Sequence, residues 1–207
     1  MGRTSKILTA LAILFMGTAV SHATPLGLVP GTPDIFSAIV SIDYDAGTDV
    51  FNAAGVAMQY NAPPVEIVSS GLFDLTATID ANSVVSGGSL SISGTTTSAS
   101  GVLLTGSVVQ FGFAPDGAPG APTFEFICSA TGGALLTEYG GPGAPIGVII
   151  SSFDSFSGNM DVSFAGSTGL ADTFSPVPEP TSITLLAIGI VGTLWTRRRR
   201  KPAQAKR

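Results

Sequence analysis

The chain has 207 residues, with 9 Lys and Arg against 14 Asp and Glu, for a net charge of −5. Every basic residue sits near one end, with none between Lys6 and Arg197, and His22 is the only histidine. Residues 24–175 therefore hold thirteen carboxylates and no cation, a formal charge of −13. This excludes the counterion-displacing contacts of nucleic-acid binding and the Arg and Lys clamps of phosphate-bearing cofactors.

Residues 1–23 read as a secretory signal peptide. Arg3 and Lys6 precede an apolar run from Ile7 to Val20, and Ser21-His22-Ala23 places small residues at the two positions a signal peptidase reads. The run is shorter than the ~20 residues of a spanning helix. Cleavage after Ala23 is expected, with signal peptidase and the secretion machinery as partners.

Residues 24–175 read as one secreted β-rich domain. Alternation with a period of two places Phe36, Ala38, Val40, Ile42 and Tyr44 on one face of a first strand. Val50 to Met58 follows as a second. Phe73, Leu75, Ala77 and Ile79 oppose Asp74, Thr76, Thr78 and Asp80 on another strand, and Leu90 and Ile92 alternate with serines on the next. Further strands fall at 102–113 and at Phe124, Phe126 and Cys128, then at 147–152 and at Met160, Val162 and Phe164. Clusters such as Asn61-Ala62-Pro63-Pro64 mark the turns between them. Eight or nine short strands so spaced predict an all-β body, an antiparallel β-sandwich or jelly-roll-like fold in preference to a barrel. A linker from Gly166 to Pro178 is expected after it.

Cys128 is the only cysteine, so no intrachain disulfide forms. About 150 residues bury ~68–70 % of their unfolded surface without one. Its neighbours Phe124 and Phe126 make Cys128 read as a small buried hydrophobe; a disulfide between chains is the alternative.

Catalysis finds little to work with. An activated Ser or Cys needs a neighbouring base, usually His or Lys, and the body has neither. Zinc ligation, which draws on His or several Cys, is excluded on the same ground. Paired carboxylates remain, as in glycoside hydrolysis, but the body has no Trp, and its only tyrosines are Tyr44, Tyr60 and Tyr139. No catalytic residue is assigned and no enzyme activity is expected. Asp43, Asp45 and Asp49 alternate around Gly47, as calcium-loop carboxylates do. Counting Asp43 as the first, the twelfth position is Ala54 rather than Glu, so a hairpin turn is the favoured reading and a calcium site the weaker one. Glu138-Tyr139, in a Gly-rich stretch, is a further polar loop candidate.

Residues 176–207 form a tail in three parts. Val177-Pro178-Glu179-Pro180 is stiff, residues 181–196 are apolar and uncharged, and Arg197-Arg198-Arg199-Arg200-Lys201 is a basic block. As a helix the apolar part spans about 24 Å, short of the ~30 Å hydrocarbon core, and the basic block belongs on the cytoplasmic side. This order resembles the PEP-CTERM sorting signal. The resemblance implies recognition by an exosortase, a membrane-embedded processing enzyme, with the inner membrane as a transient anchor. It also implies delivery to the cell envelope, surface or extracellular matrix, and exopolysaccharide as a further partner. It covers the two ends of the chain and leaves the body unassigned. For the body, a structural or adhesive role leads, a calcium- or carbohydrate-binding module is the alternative, and a carboxylate-dependent glycosidase comes last.

The processed protein should begin at Thr24 and lack residues 181–207. Intact-mass measurement of the exported form checks this, and an exported form that still carries the Arg block would rule out tail removal.

Overall fold

The computed structural model describes residues 24–117, 121–154, 156 and 158–176. The expected signal peptide, the sorting motif at Val177, Pro178, Glu179 and Pro180, and the expected C-terminal helix lie outside the described residues.

Nine strands are present: β1 (Asp34–Asp45), β2 (Val50–Asn61), β3 (Glu66–Ile67), β4 (Ser69–Ile79), β5 (Val85–Thr95), β6 (Ser100–Gly117), β7 (Ala121–Gly132), β8 (Pro145–Ser152) and β9 (Phe164–Phe174). They form one antiparallel sheet in the order β1-β9-β8-β7-β6-β5-β4-β2-β3, and β1 also pairs with β2. That last pairing closes eight strands into an up-and-down barrel, with the two-residue β3 stitched to the end of β2. The expectation of a sandwich or jelly roll is thereby corrected. Strand lengths and turns are alike in both architectures. The difference lies in one long-range pairing, from Asp34↔Phe174 to Tyr44↔Phe164 between the first and last strands, and alternation along the chain carries no sign of it.

Two further expectations change. Gly166 does not open a linker; it lies within β9, the strand that completes the ring. Small residues blur the alternation there, because Ala165, Gly166, Ser167, Gly169 and Ala171 leave Leu170 as the only large apolar side chain between Phe164 and Phe174. Met160 and Val162 precede this strand in a turn, Met160 buried and Val162 exposed. The face of β1 also changes partway. Ile35, Ser37 and Ile39 point inward, whereas Phe36, Ala38 and Val40 lie on the outer face. A bulge between Ile39 and Ser41 inserts one residue and reverses the parity, so Ile42 and Tyr44 return to the core. The other expected faces stand: Phe73, Leu75, Ala77, Ile79, Leu90, Ile92, Phe124, Phe126 and Cys128 are all buried.

An eight-stranded barrel is just wide enough for side chains to fill, and here phenylalanine fills much of it. Phe51 packs against Phe126 at 5.2 Å and Phe124 at 5.3 Å between ring centroids. Phe111 meets Phe126 at 5.1 Å, and Phe156, from the β8–β9 connection, caps the group at 5.2 Å from both Phe124 and Phe164. These tilted and edge-on contacts suit the ring quadrupoles. Ile35, Ile39, Leu75, Leu90, Leu104, Ile146, Val148 and Ile150 extend the core along the axis.

The turns β1–β2, β4–β5, β6–β7 and β8–β9 gather at one end, the hairpin end. At the other, the terminal end, the chain enters β1 and leaves β9, beside connections 62–68, 96–99 and 133–144. Before β1 the chain lies against the outer wall. The Gly27 amide donates to Glu125 Oε2 at 2.9 Å, and a Cβ on Gly112, the residue paired with Glu125, would sit 2.5 Å from the Thr24 carbonyl oxygen. Only glycine at 112 lets this segment lie flat on β6 and β7, which is why Glu125 is buried although it faces outward. Phe174 likewise lies over Gly147, where a Cβ would come within 2.6 Å of its ring.

Truncating Phe51, which has no exposed surface, removes the ring on which four others converge. Phe51→Ala is expected to destabilise the barrel by about 3–5 kcal/mol, read from denaturant unfolding of residues 24–176.

Candidate functional site

The three aspartates of the calcium reading sit at the hairpin end, and the carboxylates of Asp43 and Asp45 meet protein donors. Asp45 Oδ1 accepts the Gly47 amide and Oδ2 the Thr48 hydroxyl, each at 2.9 Å, and the Thr48 amide closes the turn on the Asp45 carbonyl at 3.2 Å. Asp49 takes the left-handed conformation that ends the turn, with φ of 60°. Asp43 accepts the Ser41 hydroxyl, and at 2.7 Å the Gly166 amide of β9. These are the bonds of a hairpin whose polar residues satisfy their own backbone. They hold the Asp45 carboxyl below its usual range, the Gly47 amide contributing most and the Thr48 hydroxyl next. Among the described residues no three His, Cys, Asp or Glu side chains are grouped as metal ligands would be. Asp43, Tyr44, Asp45, Asn52, Ser163 and Phe164 line a mostly apolar cleft of about 350 Å³ here.

Cys128 lies on the inner face of β7 with no exposed surface. Burial pushes its thiol up to about 12. Such a thiol is protonated at neutral pH, and the reactive form is the thiolate.

Two tyrosines tie the interior to the barrel wall. Near the hairpin end the Tyr44 hydroxyl donates to the Ile79 carbonyl at 2.9 Å, and near the terminal end that of Tyr139 donates to the Thr173 carbonyl at 2.8 Å. Burial, more than any charge, raises both phenols, Tyr44 to about 12 and Tyr139 well above its usual value. Glu138-Tyr139 is thus split between two environments: Tyr139 is a buried cap, and Glu138 faces solvent beside the terminal-end cleft. The sequence marked the pair but carried no sign of that division, which depends on how loop 133–144 folds over the barrel end.

The closing seam carries two half-buried carboxylates. Asp34 on β1 accepts the Asn61 side-chain amide at 2.9 Å. Asp172 on β9 pairs with Phe36, two residues along β1 from Asp34, which sets the two acids diagonally on one face. Burial raises the pKa of each, and Asp34's charge adds to the rise at Asp172. Sequence reasoning missed this pair because β9 was expected to be linker.

The class of the protein is set by its tail. Export and sorting are written in the region that follows β9, and a family model of the PEP-CTERM protein-sorting motif matches residues 176–200. The chain thus carries a PEP-CTERM sorting motif, which implies an exported protein sorted through exosortase, a membrane enzyme. The match takes in Val177, Pro178, Glu179 and Pro180, the apolar run and the arginines to Arg200, and no part of the barrel. No curated protein and no solved structure matches the chain.

Two outcomes follow from this geometry. Asp45→Ala should lower the melting temperature of residues 24–176 equally with and without a chelator, since a turn needs no ion; a loss seen only when millimolar calcium is present would restore the metal reading. The second outcome concerns pH. A raised folded-state carboxyl pKa means the folded chain binds more protons than the unfolded one. Its favourable contribution is full below the unfolded value of ~4 and is lost as pH rises through the folded value. Asp34 and Asp172 therefore make the barrel more stable at pH 5 than at pH 7. Solvent-exposed Asp45, lowered by its hydrogen bonds, acts in the opposite sense and more weakly because it is screened. Melting curves with chelator present check the sign, and Asp172→Asn should flatten the dependence.

Proposed function

We propose that the barrel is a non-enzymatic structural or adhesive module, exported behind a signal peptide at residues 1–23 and displayed at the cell surface or in the extracellular matrix. In this reading a short membrane helix within residues 181–196 holds the chain transiently until exosortase acts on the tail, and exopolysaccharide is among the surroundings it meets. The filled interior carries the reading. Phe51, Phe111, Phe124, Phe126, Phe156 and Phe164 occupy the space that ligand-carrying barrels leave open. No Lys, Arg or His lies between residues 24 and 175 to activate a nucleophile.

Glycoside hydrolysis is the less supported alternative. It needs one carboxyl kept protonated by a dry environment. Of the two glutamates that share a cleft, Glu138 is exposed. Glu66 is held below its usual range: partial burial raises it, but hydrogen bonds from Thr96, Ser98 and Thr97 together outweigh that effect.

Two deletions in the native host test the proposal. Removing residues 177–207 should abolish retention in the envelope and surface fractions. Removing residues 24–176 while keeping both ends should leave targeting intact and reduce cell cohesion or matrix integrity. Unchanged cohesion and matrix in that second strain would reject the structural or adhesive role.

A further inference from the structure

A cleft of about 330 Å³ opens at the terminal end of the barrel, bounded by the β2–β3 connection, the β5–β6 turn and loop 133–144. Its volume is at the low end of the ~300–1,000 Å³ typical of small-molecule sites. Tyr60, Pro63, Pro64, Glu66, Leu135 and Glu138 line it. Glu66 is anchored by the Ser98 amide at 3.0 Å and the Ser98 hydroxyl at 3.2 Å, both onto Oε2. Glu138, from loop 133–144, is exposed, and its carboxylate has no hydrogen-bond partner among the described residues. Pro63, Pro64 and Leu135 supply apolar wall and no side-chain donor.

Tyr60 turns a polar atom to the cleft. The residue as a whole is 3 % exposed, and its hydroxyl has no hydrogen-bond partner among the described residues, whereas Tyr44 and Tyr139 each donate to a carbonyl. The Tyr60 oxygen is not among the sealed unpartnered atoms, so it is open to the cleft that the residue lines and free to meet a ligand. Burial first, then the charges of Glu138 and Glu66, hold its proton more tightly, which places the phenol within the field of both carboxylates.

Residues 24–176 supply no Lys, Arg or His to neutralise that field. The complement must come from the ligand. A bare divalent ion suits the cleft poorly, because calcium takes six to eight oxygens and no three ligating side chains are grouped among the described residues. Two carboxylates around an apolar wall call for two positive ends on a greasy stem.

We propose that this cleft binds a short aliphatic diammonium ion, with its ammonium groups at Glu66 and Glu138, its methylenes on Pro63, Pro64 and Leu135, and the Tyr60 oxygen accepting from one ammonium. Charge-assisted hydrogen bonds hold the two ends, and the methylene stem leaves water against the apolar wall. This goes beyond the structural role of the barrel and is independent of how the protein reaches the surface.

Isothermal titration of the full chain, in neutral detergent at pH 7 and low salt, tests it with 1,4-diaminobutane as the probe. Expected is saturable one-site binding that weakens in ~0.15 M NaCl, where the Debye length falls to ~8 Å. Butylammonium, lacking the second charge, should bind about tenfold more weakly. Glu138→Gln, at an exposed position, should weaken diamine binding about tenfold, and Tyr60→Phe should weaken it while leaving the ring in the core. An absence of saturable heat would overturn the proposal. Equal binding of magnesium chloride would overturn it too, because charge alone would then suffice, as would undiminished affinity in both Glu138→Gln and Tyr60→Phe.

Discussion

The barrel depends on β1 being paired on both edges. Hydrogen bonding to β2 from Asp34↔Asn61 to Asp45↔Val50, and to β9 from Asp34↔Phe174 to Tyr44↔Phe164, leaves no free edge in the eight-stranded ring. Closure removes the unpaired N–H and C=O groups that make an open sheet prone to edge-to-edge association. It also creates the enclosed volume into which the Phe51 cluster packs. The bulge in β1 follows from the same constraint: it turns Ile42 and Tyr44 inward where the strand meets the hairpin end.

A body with thirteen carboxylates and no Lys, Arg or His has no basic side chain with which to pair them. Backbone amides take that part. Gly47 donates to Asp45, Asn82 and Val84 to Asp80, Ser98 to Glu66, Gly27 to Glu125, Gly166 to Asp43 and Thr168 to Asp154. Several of these acids sit at turns, where amides free of the ladder point outward and partial positive charge collects. The acids therefore organise the connections as well as repel one another. Asp34 and Asp172 are different, being half-buried at the seam, where loss of solvation outweighs what donors supply.

The two barrel ends differ in where their acids sit. At the hairpin end β1 and β2 are joined by residues 46–49, and the acids there are occupied by the turn itself. At the terminal end residues 133–144 are long enough to fold over the opening. Leu135 and Tyr139 go inward and Glu138 stays outside. That division leaves a rim with two glutamates above a tyrosine whose hydroxyl is unmet.

The sequence by itself determined the strand content, the inward faces of β4, β5 and β7, the turn at Asp45 and the sorting tail, because each is written in neighbouring residues. A period of two, a turn-forming Asp-x-Gly and a Pro-Glu-Pro followed by an apolar run and arginines are all local signals. Tertiary structure decided the rest. Whether eight strands close or stack and whether Gly166 and its neighbours are linker or strand depend on pairing between residues more than a hundred positions apart, and which face of β1 turns inward past its bulge is set by its pairing with both neighbours. Glu66, Glu138 and Tyr60 likewise meet only because the barrel brings β2, β3 and loop 133–144 to one rim. Hydrophobic alternation tells each strand which side faces a core, but a strand's partner is chosen by the shape of the whole sheet.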